Sequence, residues 1–263
     1  MTGPDDLAFA LDLADAVDAF TLPRFRDADF TLGWKDDRTE VTEADRGAET
    51  LLAGLVADGR PDHAFFGEEH GLQGDPEAPW RWIVDPIDGT SGFVRGIPVW
   101  ATLIALTNVD LGVTVGVVSA PALGRRWWAA AGRGSFADGR PCHVSDVSRL
   151  DAAQVSITFN DGWERLGLTH ALVDLLQRAG RARGFGDFWQ HCLVAEGALD
   201  LAVDAVGVQP YDLAAVRLIV EEAGGRFTDR FGNATHDHPT AISSNGRLHD
   251  HVISMLSGDD TAL

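Results

Sequence analysis

The stretch Trp82-Ile83-Val84-Asp85-Pro86-Ile87-Asp88-Gly89-Thr90 is an apolar run that ends abruptly in two carboxylates three positions apart. A short apolar run bounded by turn residues reads as a buried strand. A strand that delivers Asp85 and Asp88 to one point builds an all-oxygen site suited to hard divalent cations. Gly89-Thr90 then opens a helix, and a helix start is suited to holding a phosphate. Metal and phosphate at one strand end point to metal-assisted phosphoryl chemistry.

Outward from this stretch, the spacing of Leu7, Leu11, Ala14, Val17 and Phe20 predicts a helix over Leu7 to Phe25, with Pro23 its weak point. Thr42 to Val56 reads as a second helix, with Thr42 and Asp45 spaced as a capping box. Ala64 to Phe66, Arg81 to Val84, Ala101 to Leu106, Val113 to Ser119 and Trp127 to Ala131 read as strands, largely antiparallel. The second half alternates. Strands are expected at Val155 to Phe159, Ala182 to Phe185, Leu199 to Val203, Arg226 to Thr228 and Ala241 to Ser243. Helices are expected at Leu168 to Arg178, Trp189 to Glu196, Tyr211 to Ala223 and Arg247 to Leu256. Sheets layered with helices follow. The 263 residues, 45% hydrophobic, suffice for one catalytic domain over 1–263, with a soft boundary between halves at about 1–145 and 146–263.

The 21 basic and 40 acidic residues give a formal charge of -19, which argues against nucleic-acid or anionic-membrane partners. Cys142 and Cys192 show no metal or redox spacing, Met1 to Asp6 lacks a leader pattern, and no apolar run approaches a bilayer span. A soluble cytoplasmic protein is the expectation.

Three acidic clusters lie where elements end: Gly67-Glu68-Glu69, Asp85 with Asp88, and Asp212 at a helix start. Each alone has a plain reading, Asp212 as a helix cap, Glu68-Glu69 as a solvated loop and Asp85-x-x-Asp88 as a turn. Together they supply the contexts a metal site requires. His236-Asp237-His238 lies among Gly, Asn and Pro and reads as solvated loop rather than metal site.

These motifs, with Val41-Thr42-Glu43-Ala44-Asp45 ahead of them and Asp212-Leu213-Ala214-Ala215 followed by Glu222-Ala223-Gly224-Gly225 behind, resemble the inositol monophosphatase superfamily of metal-dependent, lithium-sensitive phosphatases. Val94 to Ala101, Gly116 to Leu123, Gly186-Asp187-Phe188 and Ser244-Asn245-Gly246 bring the resemblance closest to its actinobacterial-type histidinol-phosphatases. The resemblance implies a layered α/β/α/β/α sandwich of α+β class, as in the sugar phosphatases. It implies two or three Mg²⁺ ions per site and a homodimer. Glu68, Asp85 and the Ile87 carbonyl are then one metal's ligands, and Asp85, Asp88 and Asp212 another's. Thr90 and Glu68 orient the attacking water, and Asp45 supports Thr90. Asp88, Gly89, Thr90, Arg183, Asp187 and Asp212 are the implied substrate contacts, with Arg183 equally readable as a surface arginine. Asp204 stands where many members carry an acid ahead of Asp212, with one extra residue in the loop. Asn245 is either a pocket residue or the turn before the final helix.

The implied reaction is hydrolysis of histidinol phosphate to histidinol and phosphate, in histidine biosynthesis. The alternative is another small alcohol phosphate, of an inositol, sugar or nucleoside. Three departures from the family pattern bear on that choice: Ser91-Gly92 after Thr90, Pro210-Tyr211 before Asp212, and Gly33-Trp34 before Lys35. Gly92 is expected to open the pocket rim and to weaken its helical turn by up to ~1 kcal/mol relative to alanine.

Overall fold

The computed structural model describes residues 4–35, 39–204 and 206–257, so Met1 to Gly3 of the N-terminal stretch lie outside the described residues. Helix α1 (Pro4–Asp27) leads into a hairpin of β1 (Leu32–Trp34) and β2 (Glu40–Thr42), then α2 (Glu43–Gly59). There follow β3 (Ala64–Gly67), β4 (Gly71–Gln73), β5 (Trp80–Asp88), α3 (Thr90–Val94), β6 (Ala101–Asn108), β7 (Gly112–Ala120), β8 (Arg125–Ala130), β9 (Ser135–Ala137) and β10 (Arg140–Pro141). The second half runs β11 (Gln154–Thr158), α4 (Gly162–Arg165), α5 (Thr169–Arg178), β12 (Arg181–Arg183), α6 (Asp187–Ala195), β13 (Leu201–Asp204), α7 (Pro210–Glu222), β14 (Arg226–Thr228), β15 (Ala241–Ser244) and α8 (His249–Leu256).

Helix α1 continues through Pro23. Proline removes one backbone hydrogen bond near the helix end, and Arg24 donates to the Phe20 carbonyl in the same turn. The expected strands and helices are all present with shifted ends. The β1–β2 hairpin and the short strands β4, β9 and β10 are additions, too brief to show a period.

An eight-stranded sheet has the order β10-β9-β8-β7-β6-β5-β3-β4, antiparallel except for the β3–β5 pair. A five-stranded sheet has the order β12-β11-β13-β15-β14. On one face of the large sheet, Leu13, Val17, Leu52 and Val56 of α1 and α2 pack on Trp82, Val84 and Ile104. On its other face, Phe188, Cys192, Leu213 and Val216 of α6 and α7 pack against Ile83, Leu103 and Trp127, and reach Ala202 and Phe227 of the second sheet. Leu172, Leu175 and Val252 of α5 and α8 cover the outer face of that second sheet. The result is the expected α/β/α/β/α sandwich. β5 is buried on both faces, which is why its sequence is a continuous apolar run rather than an alternation. Trp127 and Trp128 point to opposite faces, Trp127 fully buried and Trp128 half-buried against Phe136. Among the described residues no helix is long and apolar enough to cross a membrane.

Candidate active site

At the end of β5 the ladder to β6 shifts register between Asp85 and Asp88. Pro86 sits in this irregularity, where its missing N–H is harmless, and its carbonyl accepts from Thr102 Oγ1 at 2.7 Å. Asp85 Oδ1 accepts the Ile87 N–H at 2.9 Å and folds the turn. Asp212 arrives from α7. Pro210 starts that helix and holds Gln209 extended, at φ -122° and ψ 168°. The Gln209 N–H donates to Asp212 Oδ2 at 2.6 Å, so Asp212 is a cap. It is also more than a cap: oxygens of Asp85, Asp88 and Asp212 all lie within 4.8 Å of one another.

Glu68 stands on the turn after β3, where Lys35 Nζ approaches Glu68 Oε1 at 2.5 Å and Glu69 Oε1 at 2.6 Å. Thr90 Oγ1 opens α3 and donates between Asp45 Oδ1 and the Ile87 carbonyl, each at 3.0 Å. Gly89, in the left-handed conformation, is the N-cap of this helix. Asp45 is fully buried, and its Oδ2 accepts from the Thr42 N–H and Oγ1 in the anticipated capping box. Asp88 Oδ2 accepts the Phe188 N–H at 2.7 Å, which ties the start of α6 to the cluster.

Burial and mutual repulsion push these acids upward. Burial raises Asp85, and the charges of Glu68, Asp88 and Asp212 add to it. Burial likewise raises Asp88, helped by Asp187 and Asp212. Asp212 is pushed up to about 7, chiefly by burial. Burial raises Glu68, with Lys35 pulling the other way. An all-oxygen donor set, held together against its own repulsion with one lysine against it, fits a hard divalent cation.

Beside the acids lies a cavity of about 220 Å³ whose lining includes Asp88, Asn160, Asp187, Asp204 and Asp212. Asp187, the first residue of α6, has φ 46°, an unusual conformation for a residue with a side chain. It reaches solvent, but the protein packed around its carboxyl and the Asp204 charge push it up to about 6. Asp204 is buried, with Oδ2 2.8 Å from His191 Nε2 and Oδ1 accepting from Gln190 Nε2 at 2.9 Å. His191 Nδ1 meets Ser243 Oγ in turn.

The model of the inositol monophosphatase family matches residues 6–258. The chain belongs to the inositol monophosphatase family. It is 48% identical over 259 residues to a histidinol-phosphatase of Mycobacterium tuberculosis, covering 96% of this chain and 98% of that one. It is 44% identical over 261 residues to a histidinol-phosphatase of Streptomyces coelicolor, covering 96% and 97%. The extragenic suppressor protein suhB of Bartonella henselae superposes with a TM-score of 0.87 at 25% identity, covering 98% of this chain and 100% of that one.

In this inositol monophosphatase family member, Asp45, Glu68, Asp85, Ile87, Asp88, Gly89, Thr90, Asp187 and Asp212 gather around the end of β5. Arg183 does not join them. It is exposed on the edge strand β12, donates to the Ala182 carbonyl, and borders a different hollow with Phe159 and Leu172. Gly92 does not open the pocket rim as expected. A Cβ there would lie 2.9 Å from the Val99 carbonyl, so the missing side chain accommodates backbone and does not widen the pocket. Asn245 serves the turn: its Nδ2 donates to Ser145 Oγ and the Val147 carbonyl, and its Oδ1 accepts the Arg247 N–H. His236 and His238 are partly buried, and His238 Nδ1 meets Thr240 Oγ1 at 2.9 Å. Sequence reasoning missed His191 and Gln190, which hold Asp204. Their signal, polar residues on the inward face of α6, emerges only once the helix is placed.

Proposed function

We propose that this protein is a Mg²⁺-dependent histidinol-phosphatase, releasing histidinol and phosphate from histidinol phosphate. The observation that carries the reading is the cavity with Asp187 and Asp204 in its wall, directly beside the Asp85–Asp88–Asp212 cluster. A phosphate held at the cluster leaves its alcohol in that cavity, where acids suit a cationic amine and imidazole. Two relatives of that name, matching nearly end to end, support it.

Glu68, Asp85, the Ile87 carbonyl, Asp88 and Asp212 are the proposed metal ligands. Mg²⁺ bound by them supplies positive charge against the phosphate and makes water more acidic. Asp45 accepts the hydrogen bond of the Thr90 hydroxyl, so the Thr90 oxygen is left to accept from a water, and Glu68 orients that water from the other side. The Gly89 and Thr90 N–H groups, at a helix start where backbone donors lack helical partners, face the phosphate oxygens. Asp187 and Asp204 hold the alcohol end. The reading extends to two or three ions per site, a homodimer, a cytoplasmic setting, and one catalytic domain whose halves, about 1–145 and 146–263, both contribute to the site. The family resemblance supports these extensions.

The test is phosphate release across histidinol phosphate, inositol phosphates, sugar phosphates and nucleotides in Mg²⁺. Histidinol phosphate is expected to give the highest kcat/KM. A higher value for an inositol or sugar phosphate replaces the substrate while keeping the chemistry.

A further inference from the structure

Glu49 lies one helical turn beyond Asp45 on α2, so the two acids share a face. Both are fully buried. Asp45 reaches Thr90, and Glu49 reaches the turn that carries Glu68. Glu49 Oε2 accepts the Glu69 N–H at 2.7 Å, and Oε1 accepts the His70 N–H at 2.8 Å, with His70 Nδ1 at 3.0 Å. The carboxylate sits where a side chain at Gly67 would otherwise be: a Cβ there would lie 2.2 to 2.5 Å from the Glu49 carboxyl atoms. Gly67-Glu68-Glu69-His70 is therefore wrapped around one buried carboxylate. A buried acid in a helix interior, away from solvent, is tolerated only when its oxygens are fully engaged, and here they are engaged by the backbone on the C-terminal side of Glu68.

We propose that Glu49 is a positioning residue for metal binding: by anchoring the Glu69 and His70 N–H groups it sets the place of the Glu68 carboxylate opposite Asp85. Through Asp45 and Glu49, α2 then holds two separate parts of the site from one rigid face. The inference rests on the reading of Glu68 as a metal ligand. Glu49 is not among the proposed metal ligands, and its two oxygens are taken up by the Glu69 and His70 N–H groups. Its effect passes through the loop, as partners of ligands commonly act.

The experiment compares Glu49→Gln, Gly67→Ala, Glu68→Gln and Leu52→Ala with the parent protein. Leu52 is a buried apolar residue on the same helix and controls for general destabilisation. Two measurements are made on the full chain: Mg²⁺ binding to metal-free protein by calorimetry, and amide hydrogen exchange at residues 68–70. Glutamine keeps the shape of Glu49 but replaces one acceptor with a donor that opposes an N–H. Glu49→Gln is expected to weaken Mg²⁺ binding about 10- to 100-fold and to speed exchange at Glu69 and His70. Gly67→Ala disturbs the same contact from the loop side and is expected to do likewise, so a failure of Glu49→Gln to fold leaves the test intact. Leu52→Ala is expected to lower Tm with Mg²⁺ affinity nearly unchanged. If Glu68→Gln weakens Mg²⁺ binding but Glu49→Gln and Gly67→Ala match Leu52→Ala, the positioning role of Glu49 is overturned. If Glu68→Gln itself binds Mg²⁺ like the parent, the ligand reading falls first.

Discussion

Asp45 and Thr90, 45 positions apart, are joined by a 3.0 Å hydrogen bond from Thr90 Oγ1 to Asp45 Oδ1. The other Asp45 oxygen closes the capping box of α2, so one buried carboxyl group serves helix and site together. Asp45→Asn is expected to lower kcat by about 10²-fold or more, and to cost about 1 kcal/mol in lost capping. Thr90→Ser keeps the hydroxyl and is expected to retain most activity, whereas Thr90→Val loses it. Steady-state kinetics with saturating Mg²⁺ measures all three. Full activity in Thr90→Val removes Thr90 from the mechanism.

The crowding of Asp85, Asp88 and Asp212 makes the cluster costly without a cation. Asp88→Asn removes one of the repelling charges and leaves an amide oxygen to accept the Phe188 N–H. Turnover is expected to disappear while the Tm of the metal-free protein holds or rises. An active Asp88→Asn protein contradicts the assignment.

Protons and Mg²⁺ compete for the same oxygens. Asp212 is raised from 3.8 to about 7 and Asp187 to about 6. Over that interval the folded metal-free protein holds protons that the unfolded chain has released. The resulting stability is fully present below the unfolded value near 3.8 and is lost as pH rises through 6 to 7. The Tm of chelated protein is expected to fall on the order of 5 °C between about pH 5.5 and about pH 8, chiefly through Asp212, because solvent screens the exposed Asp187. Added Mg²⁺ is expected to raise Tm more at the higher pH, because there it meets ionised carboxylates. Thermal scans at both pH values, with chelator and with Mg²⁺, decide it, and a chelated Tm that climbs with pH runs against the reading.

Asp187 faces the cavity from a strained backbone position at the start of α6. If it meets the cationic end of the substrate, Asp187→Asn raises KM for histidinol phosphate about tenfold, the equivalent of 1.4 kcal/mol, and leaves a neutral alcohol phosphate little affected. Equal losses on both substrates, in parallel kinetic assays, count against a charge-reading role.

Gly92 meets the Val99 carbonyl, and a Cβ added there stands 2.9 Å from it. Gly92→Ala is expected to destabilise by about 1–3 kcal/mol through overpacking, with the order of substrate preference unchanged. Denaturant melts and a repeat of the substrate screen measure both; a changed preference restores the pocket-rim reading.

The reach of the sequence differs from residue to residue. Asp212 reads both as a cap and as a member of an acidic set, and the structure shows both, because the cap uses one oxygen and the carboxyl group still faces Asp85 and Asp88. Arg183 illustrates the opposite case. Its strand is as expected, but a motif position cannot show which way an edge strand turns its side chains. Glu49 carried no signal, since a lone glutamate in a helix reads as a solvated residue.

The sequence by itself determined the two-sided burial of β5, the cap at Thr42 and Asp45, the alternation that builds the second sheet, and the acids at Asp85 and Asp88. These follow from local periodicity and from backbone chemistry within a few residues. Only the tertiary structure decided that Glu49 grips the Glu68 turn, that His191 and Gln190 hold Asp204, and that Gly92 answers to Val99. Those contacts join residues distant in the chain, and their energies depend on burial and on the alignment of a few polar atoms. Burial and alignment exist only after the layers have packed.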